Sequence, residues 1–181
     1  NYRGYKLMLN IYVNTWGNYN ENGADGGEWI TLPMDADELE NKLEKIADAM
    51  GDHDPEWFIN DYEWTIDFEL GDVDEMDNIF EWNDRCLEAS TLEEWEAEEI
   101  AAAMEAFDYS FPDAMERQQR GCFIFYAGQD LEDVAYSLIE ECYTTKDTPE
   151  IFTRYFDYEG FARDLRFDGY TETTNGVIIE G

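Results

Sequence analysis

A chain of 181 residues holds one large domain or two to three small ones, and its 44% hydrophobic and 16% aromatic content is ample for packed cores, which argues against a disordered chain. Its 45 acids against 11 bases leave a formal net charge of −34. That charge runs along the whole chain, so nucleic acid and anionic membranes are repelled as direct partners, and a basic protein surface or a store of cations is favoured instead.

Tyr5 to Thr15 is rich in aliphatic, aromatic and β-branched residues and reads as a strand. Gly17 to Gly27, dominated by Asn, Gly and Asp, reads as loop. Glu28 to Leu32 is a second strand, stopped by Pro33. A helix capped by Asp35 or Asp37 runs to Met50 and closes at Gly51, with Leu39, Leu43, Ile46 and Met50 at helical spacing. Trp57 to Leu70 holds one or two further strands. These elements make an α+β unit over residues 1–71.

Composition shifts at Gly71. From Asp72 to Glu105 the chain carries 13 carboxylates and one base, Arg85. A helix is expected from about Asp74 to Glu88, burying Val73, Met76, Ile79, Phe80, Cys86 and Leu87 on one arc. The spacing of Asp74, Asp77, Glu81, Asp84 and Glu88 would put five like charges on its exposed side. Each like-charged neighbour at such spacing costs about 0.2–0.5 kcal/mol, a cost that stability alone does not explain. Ser90 or Thr91 would cap the next helix, which carries Leu92, Trp95, Ala103, Ala106 and Phe107 on its apolar side and places Glu96 and Glu99 close to it. A short helix follows from Pro112 to Gln119. Residues 72–120 thus read as an acidic helical domain.

Gly121 to Ala127 is an apolar strand, and Asp130 to Tyr143 an amphipathic helix through Leu131, Val134, Leu138 and Cys142. Two short helices follow, over Ile151–Tyr155 and Tyr158–Phe167. Thr171 to Ile179, with Asn175-Gly176 inside it, reads as a terminal hairpin. Residues 121–181 form a second α+β unit. The fold class is α+β, a three-part chain of two α+β units flanking a helical one.

Catalytic constellations find no support: the one histidine, His53, sits in a loop between two aspartates, and no nucleophile, zinc or phosphate-loop motif is present. Cys86, Cys122 and Cys142 are too widely spaced for a metal site and read as three buried, reduced thiols. Asp72, Asp74 and Asp77 lack the glycine of a calcium loop. Asn18, Asn20, Asn22 and Asp25, with Gly23 and Gly26, fit either a cation loop or, preferably, a turn-rich connection. No metal or cofactor is expected. No secretory or membrane-spanning segment is read, so the protein is expected to be soluble and cytoplasmic. An acidic skin adapted to salt, or weak cation binding, would account for the charge but not for a periodic row.

The remaining reading is imitation of duplex DNA, with carboxylates in place of phosphates. DNA carries one charge per about 1.7 Å of axis, so 34 charges match roughly 58 Å of duplex. The expected partner-facing acids are Asp72, Asp74, Asp77, Glu81, Asp84 and Glu88, then Glu94, Glu98 and Glu105.

In order along the chain, IYVNTWGNYNENGADGGEWITLPMDADELENKLEKI, FINDYEW, DEMDNIFE, DLEDVAYSLIEE, YFDYEGFARDL and TNGV resemble blocks of the ArdA family of antirestriction proteins. The middle, Glu88 to Arg120, is similar in acidity and helicity more than in residues. The resemblance implies an elongated homodimeric DNA mimic without catalytic residues. It would occupy the DNA-binding groove of type I restriction–modification enzymes, on their specificity and methyltransferase subunits, and block cleavage and often modification. It also implies a dimer contact toward the C-terminal unit, where Tyr155, Phe156, Tyr158 and Phe161 are the candidate aromatics.

Overall fold

A computed structural model describes residue 6 and residues 8–181; Tyr5 and Leu7 of the expected first strand lie outside the described residues. The chain divides into two compact units, residues 1–93 and 94–181. Two three-stranded antiparallel sheets and the helices around them make it α+β. The acidic segment 72–120 is shared between the units: its first helix lies in one, its second and third in the other.

In the first unit β1 (Leu9–Thr15) is the central strand, flanked by β2 (Glu28–Leu32) and β3 (Trp57–Trp64). Its position explains its composition. Leu9, Ile11 and Val13 are buried, opposite Leu32, Ile30 and Glu28 on one side and Trp64, Tyr62 and Ile59 on the other. A bulge between Tyr12 and Val13 shifts the register to β3. Beyond β3, residues 65–70 form no second strand.

The stretch read as loop contains a helix, α1 (Trp16–Asn22), followed by a 3₁₀ turn at Ala24–Gly26. The Thr15 hydroxyl caps α1 by accepting from the Asn18 N–H at 3.1 Å. The buried Asn18 amide donates to Asn14 Oδ1 and to the Gly26 carbonyl, both at 2.8 Å, and accepts from Asn22 Nδ2 at 2.8 Å. Trp16 stacks on Phe58 with ring centres 4.2 Å apart. Asparagines that read as loop formers are here the polar interior of a closed turn.

Helix α2 (Ala36–Met50) buries Leu39, Leu43, Ile46 and Ala47 as its spacing requires. It ends where Gly51 takes φ 72°, a left-handed cap open to glycine at little cost. Helix α3 (Ile79–Ala89) starts five residues later than expected. Asp74 Oδ1 accepts from the Met76 N–H, Asp77 Oδ2 from the Asp74 N–H, and Asn78 Oδ1 from the Phe80 N–H. These side chains satisfy backbone donors in turns, so the helix begins only after the last of them. The buried arc is Ile79, Trp82, Asn83, Cys86 and Ala89; Met76 and Phe80 are exposed. Ser90 and Thr91 finish α3 rather than opening its successor, donating their hydroxyls to the Leu87 and Glu88 carbonyls at 2.7 Å.

In the second unit, β4 (Phe123–Ala127), β5 (Thr171–Thr173) and β6 (Gly176–Glu180) pair in the order β4-β6-β5. Helix α4 (Glu94–Phe107) lies against all three strands, with Ala97, Ile100, Ala101, Ala102 and Ala103 buried and Trp95 exposed. Small residues let the helix axis approach the sheet closely. Helix α5 (Phe111–Gln119) packs on α4 and is capped by Ser110. Arg117 of α5 pairs with Glu180 of β6 and lies 4.4 Å from the Tyr109 ring centre; the Tyr109 hydroxyl donates to Glu180 at 2.7 Å.

A second core joins α6 (Leu131–Leu138) to α8 (Tyr158–Leu165) through Leu131, Val134, Ala135, Ala162, Leu165 and Val177. Between them lies the short α7 (Glu150–Arg154). α6 continues as a π turn, Ile139–Tyr143. That turn breaks the 3.6-residue period, so Cys142 is exposed where spacing would bury it. Of the three thiols only Cys86 is buried, and burial pushes it up to about 12; Cys122 is half-buried. The β5–β6 hairpin turns at Thr174-Asn175, one residue earlier than Asn175-Gly176; Gly176 opens β6 opposite Thr173, where any Cβ would collide with the Tyr126 carbonyl.

Candidate partner-binding surface

The predicted acids do not form one helical row. In the first unit, Glu81, Asp84 and Glu88 are exposed on α3, while Asp72 and Asp74 are exposed on the turn before it. Asp77 is half-buried and works inside the fold. Its Oδ2 accepts from the Trp82 indole N–H at 2.9 Å as well as from the Asp74 N–H at 2.8 Å.

The one base of this stretch, Arg85, is held against the fold. Arg85 lies over the Trp82 ring at 4.2 Å and donates to the Leu70 carbonyl at 3.0 Å. Burial lowers its titration, against opposing pulls from Cys86, Asp77 and Glu81. The guanidinium thus serves the packing of α3 onto the preceding segment, while Glu81, Asp84 and Glu88 are exposed on the helix.

In the second unit Glu94 is exposed and Glu98 half-buried on α4. Glu105 is exposed but structurally engaged. Both its oxygens accept from the Thr174 N–H, at 2.9 and 3.0 Å, and one also accepts from the Thr174 hydroxyl at 3.2 Å. It pins α4 to the hairpin. Glu99, on the inner side of α4, titrates above its ordinary value because burial disfavours its charge; a hydrogen bond from Gln118 opposes the shift and Glu96 adds to it.

Of the aromatics singled out in the C-terminal unit, Tyr155 is 78% exposed and Phe156 38%, whereas Tyr158 and Phe161 are half-buried. Phe161 packs against the α6–α8 core, and Phe156 meets the Tyr158 and Phe161 rings edge-on, with centres 5.0 and 5.8 Å away. Ile151 and Phe152 on α7, 61% and 66% exposed, join Tyr155 on this surface although sequence reasoning misses them. A signal for them exists: a helix of five residues offers too little length to bury Ile151, Phe152 and Tyr155 together.

Among the described residues no group of three or more His, Cys, Asp or Glu side chains is placed to hold a metal ion, and no helix is long and apolar enough to cross a membrane. Asn18 and Asn22 are committed to each other and to the backbone of their turn.

A comparison with curated proteins gives no match. The family described as antirestriction protein (ArdA) matches residues 11–180, a span that takes in both units, from within β1 to the end of β6. With nearly the whole of both sheets and every described helix inside that match, the chain belongs to the antirestriction protein (ArdA) family.

Proposed function

We propose that this protein inhibits type I restriction–modification enzymes by competitive occupancy: its exposed carboxylates take the place of DNA phosphates in the groove formed by the specificity and methyltransferase subunits. Cleavage of incoming DNA, and often its modification, then fails for want of a free groove. The inhibitor needs no catalytic residue and no cofactor, and it acts in the cytoplasm, where the enzymes meet their DNA.

One observation carries the reading beyond family membership. Even if each of the 11 bases neutralised one acid, 34 carboxylates would be left over. The bases are partly spent inside the fold, as with Arg85 on Trp82 and Arg117 with Glu180. Such a surface favours a partner rich in Lys and Arg, and a DNA-binding groove is that partner. Within the set, Asp72, Asp74, Glu81, Asp84, Glu88 and Glu94 are the exposed acids of the proposed surface, Asp74 also holding its own turn, with the half-buried Glu98 at its margin. Asp77 and Glu105 act mainly to hold their neighbours. Two copies would associate through the exposed apolar side chains around Tyr155 and Phe156.

The test is competition between the full-length protein and duplex DNA for a purified type I methyltransferase. Mutually exclusive binding is the expected result. Formation of a ternary complex with DNA still in the groove would overturn the reading.

A further inference from the structure

Within the first unit, the C-terminal half of α2, the loop after it, the start of β3 and the start of α3 enclose a groove of about 360 Å³. Its apolar lining, taken as the floor, is the buried Leu43 and Ala47, the half-buried Pro55 and Trp57, and the exposed Phe80. Its acidic lining, taken as the rim, is Glu40, Glu44 and Asp48, exposed on α2, and the half-buried Asp52, with the exposed His53 beside them. The rim is partly fixed, since Asp52 Oδ2 accepts from the Thr15 hydroxyl at 2.6 Å and Oδ1 from the Asp54 N–H at 3.2 Å. Phe80 is 41% exposed although it stands beside the buried arc of α3.

Phosphate imitation alone gives no reason for an apolar floor. A duplex backbone offers charge without a hydrophobic recess, and carboxylates alone would attract any basic protein. We infer that this groove docks a basic amphipathic segment of the target protein, seating an aliphatic or aromatic side chain on Trp57 and Phe80 while flanking Lys and Arg side chains meet the rim. The occupant follows from charge complementarity: a floor that wants apolar surface lies inside a rim that excludes acidic segments. A volume at the small end of ligand sites suits one or two side chains rather than a cofactor. The inference rests on the proposed function for the partner's identity and on the groove's own chemistry for the kind of segment bound. It gives the interface a component that salt does not screen, and hence a means of preferring one basic protein over others.

The test uses full-length ¹⁵N-labelled protein, titrated with a short Lys/Leu amphipathic helical peptide and with a Lys/Gly/Ser peptide of equal charge, at about 0.15 M and about 1 M salt. The Lys/Leu peptide should shift the amides of residues 43–57 and 79–81 and still bind at the higher salt. Phe80→Ala should weaken it about fivefold, the share of a phenyl group's burial that remains to be gained. The Lys/Gly/Ser peptide should lose binding with salt and ignore that change. As a second variant, Glu44→Gln with Asp48→Asn, both on the exposed side of α2, should weaken the Lys/Leu peptide at low salt only. Scattered shifts along the acids, equal salt loss for both peptides, or no effect of Phe80→Ala would overturn the groove. Competition with DNA for the methyltransferase is measured separately. Wild-type protein that competes while the groove fails leaves the mimic reading standing; failure to compete with the groove still selective removes the mimic reading instead.

Discussion

Asp77 and Asp84 carry the same formal charge, yet their surroundings give them opposite tasks. Asp77 satisfies an indole N–H and a backbone N–H at once. Asp77→Ala should therefore lower unfolding stability by roughly 1–3 kcal/mol, measured by denaturant titration. Asp84→Asn, on an exposed helix face among other acids, should leave stability unchanged or slightly raised. Equal stability losses in both would mean that Asp77's contacts carry no weight. Glu99 gives a pH-dependent counterpart. Burial raises its titration in the folded chain, so the folded state holds the proton more tightly than the unfolded one. Its ionised form then costs stability fully above the folded titration range, and the cost disappears below the ordinary carboxylate range. Glu99→Gln keeps an amide able to pair with Gln118. It should raise the melting temperature at about pH 7 and converge with the parent at about pH 3. A difference that grows on acidification would reverse the sign and refute the burial argument.

At the scale of elements, α3 depends on a side chain that no periodicity reveals. The buried Asn83 accepts from the Met34 N–H at 2.9 Å and donates to the Met34 carbonyl at 2.8 Å, clasping the segment just after β2. Asn83→Ala strands both backbone groups, so a loss of about 2–4 kcal/mol is expected in denaturant unfolding. A loss below that of removing the Asn78 cap, about 1 kcal/mol, would show that water replaces the clasp. Elements ruled by hydrophobic spacing are legible in the sequence: α2 through Leu39, Leu43 and Ile46, and α6 through Leu131 and Val134; the terminal hairpin is legible too, with its turn at Thr174-Asn175 instead of Asn175-Gly176. Elements ruled by polar side chains are not. Thr15 and Asn18 build a helix where composition implies a loop, and Asp74, Asp77 and Asn78 replace a helical turn that charge spacing implies. The same cause divides the candidate site. Glu81, Asp84 and Glu88 share α3 as expected, but Asp74 and Asp77 lie outside it, and only hydrogen bonding marks Asp77 and Glu105 as structural.

Over the whole molecule the charge belongs to neither unit alone. Residues 1–93 carry 24 acids and 5 bases, residues 94–181 carry 21 and 6. Self-repulsion on this scale opposes compactness, and dissolved salt relieves it. Salt also screens attraction to a basic groove. One variable should thus move two properties in opposite directions: stability rises with added salt while affinity for the restriction–modification enzyme falls. If about six carboxylates stand in for phosphates, affinity should drop by up to about 10³-fold between roughly 50 and 200 mM salt. Glu81→Gln, Asp84→Asn and Glu88→Gln test the link between the two. Each alone should leave inhibition largely intact, because the attraction is distributed. Together they should reduce the slope of log affinity against log salt by nearly three, on the order of 0.9 per charge. The same triple variant should melt higher than the parent at low salt, since it removes three like charges from one helix face. A triple variant that loses affinity without changing the salt slope would place those acids outside the interface. One that loses stability at low salt would show that they hold the fold together instead of straining it.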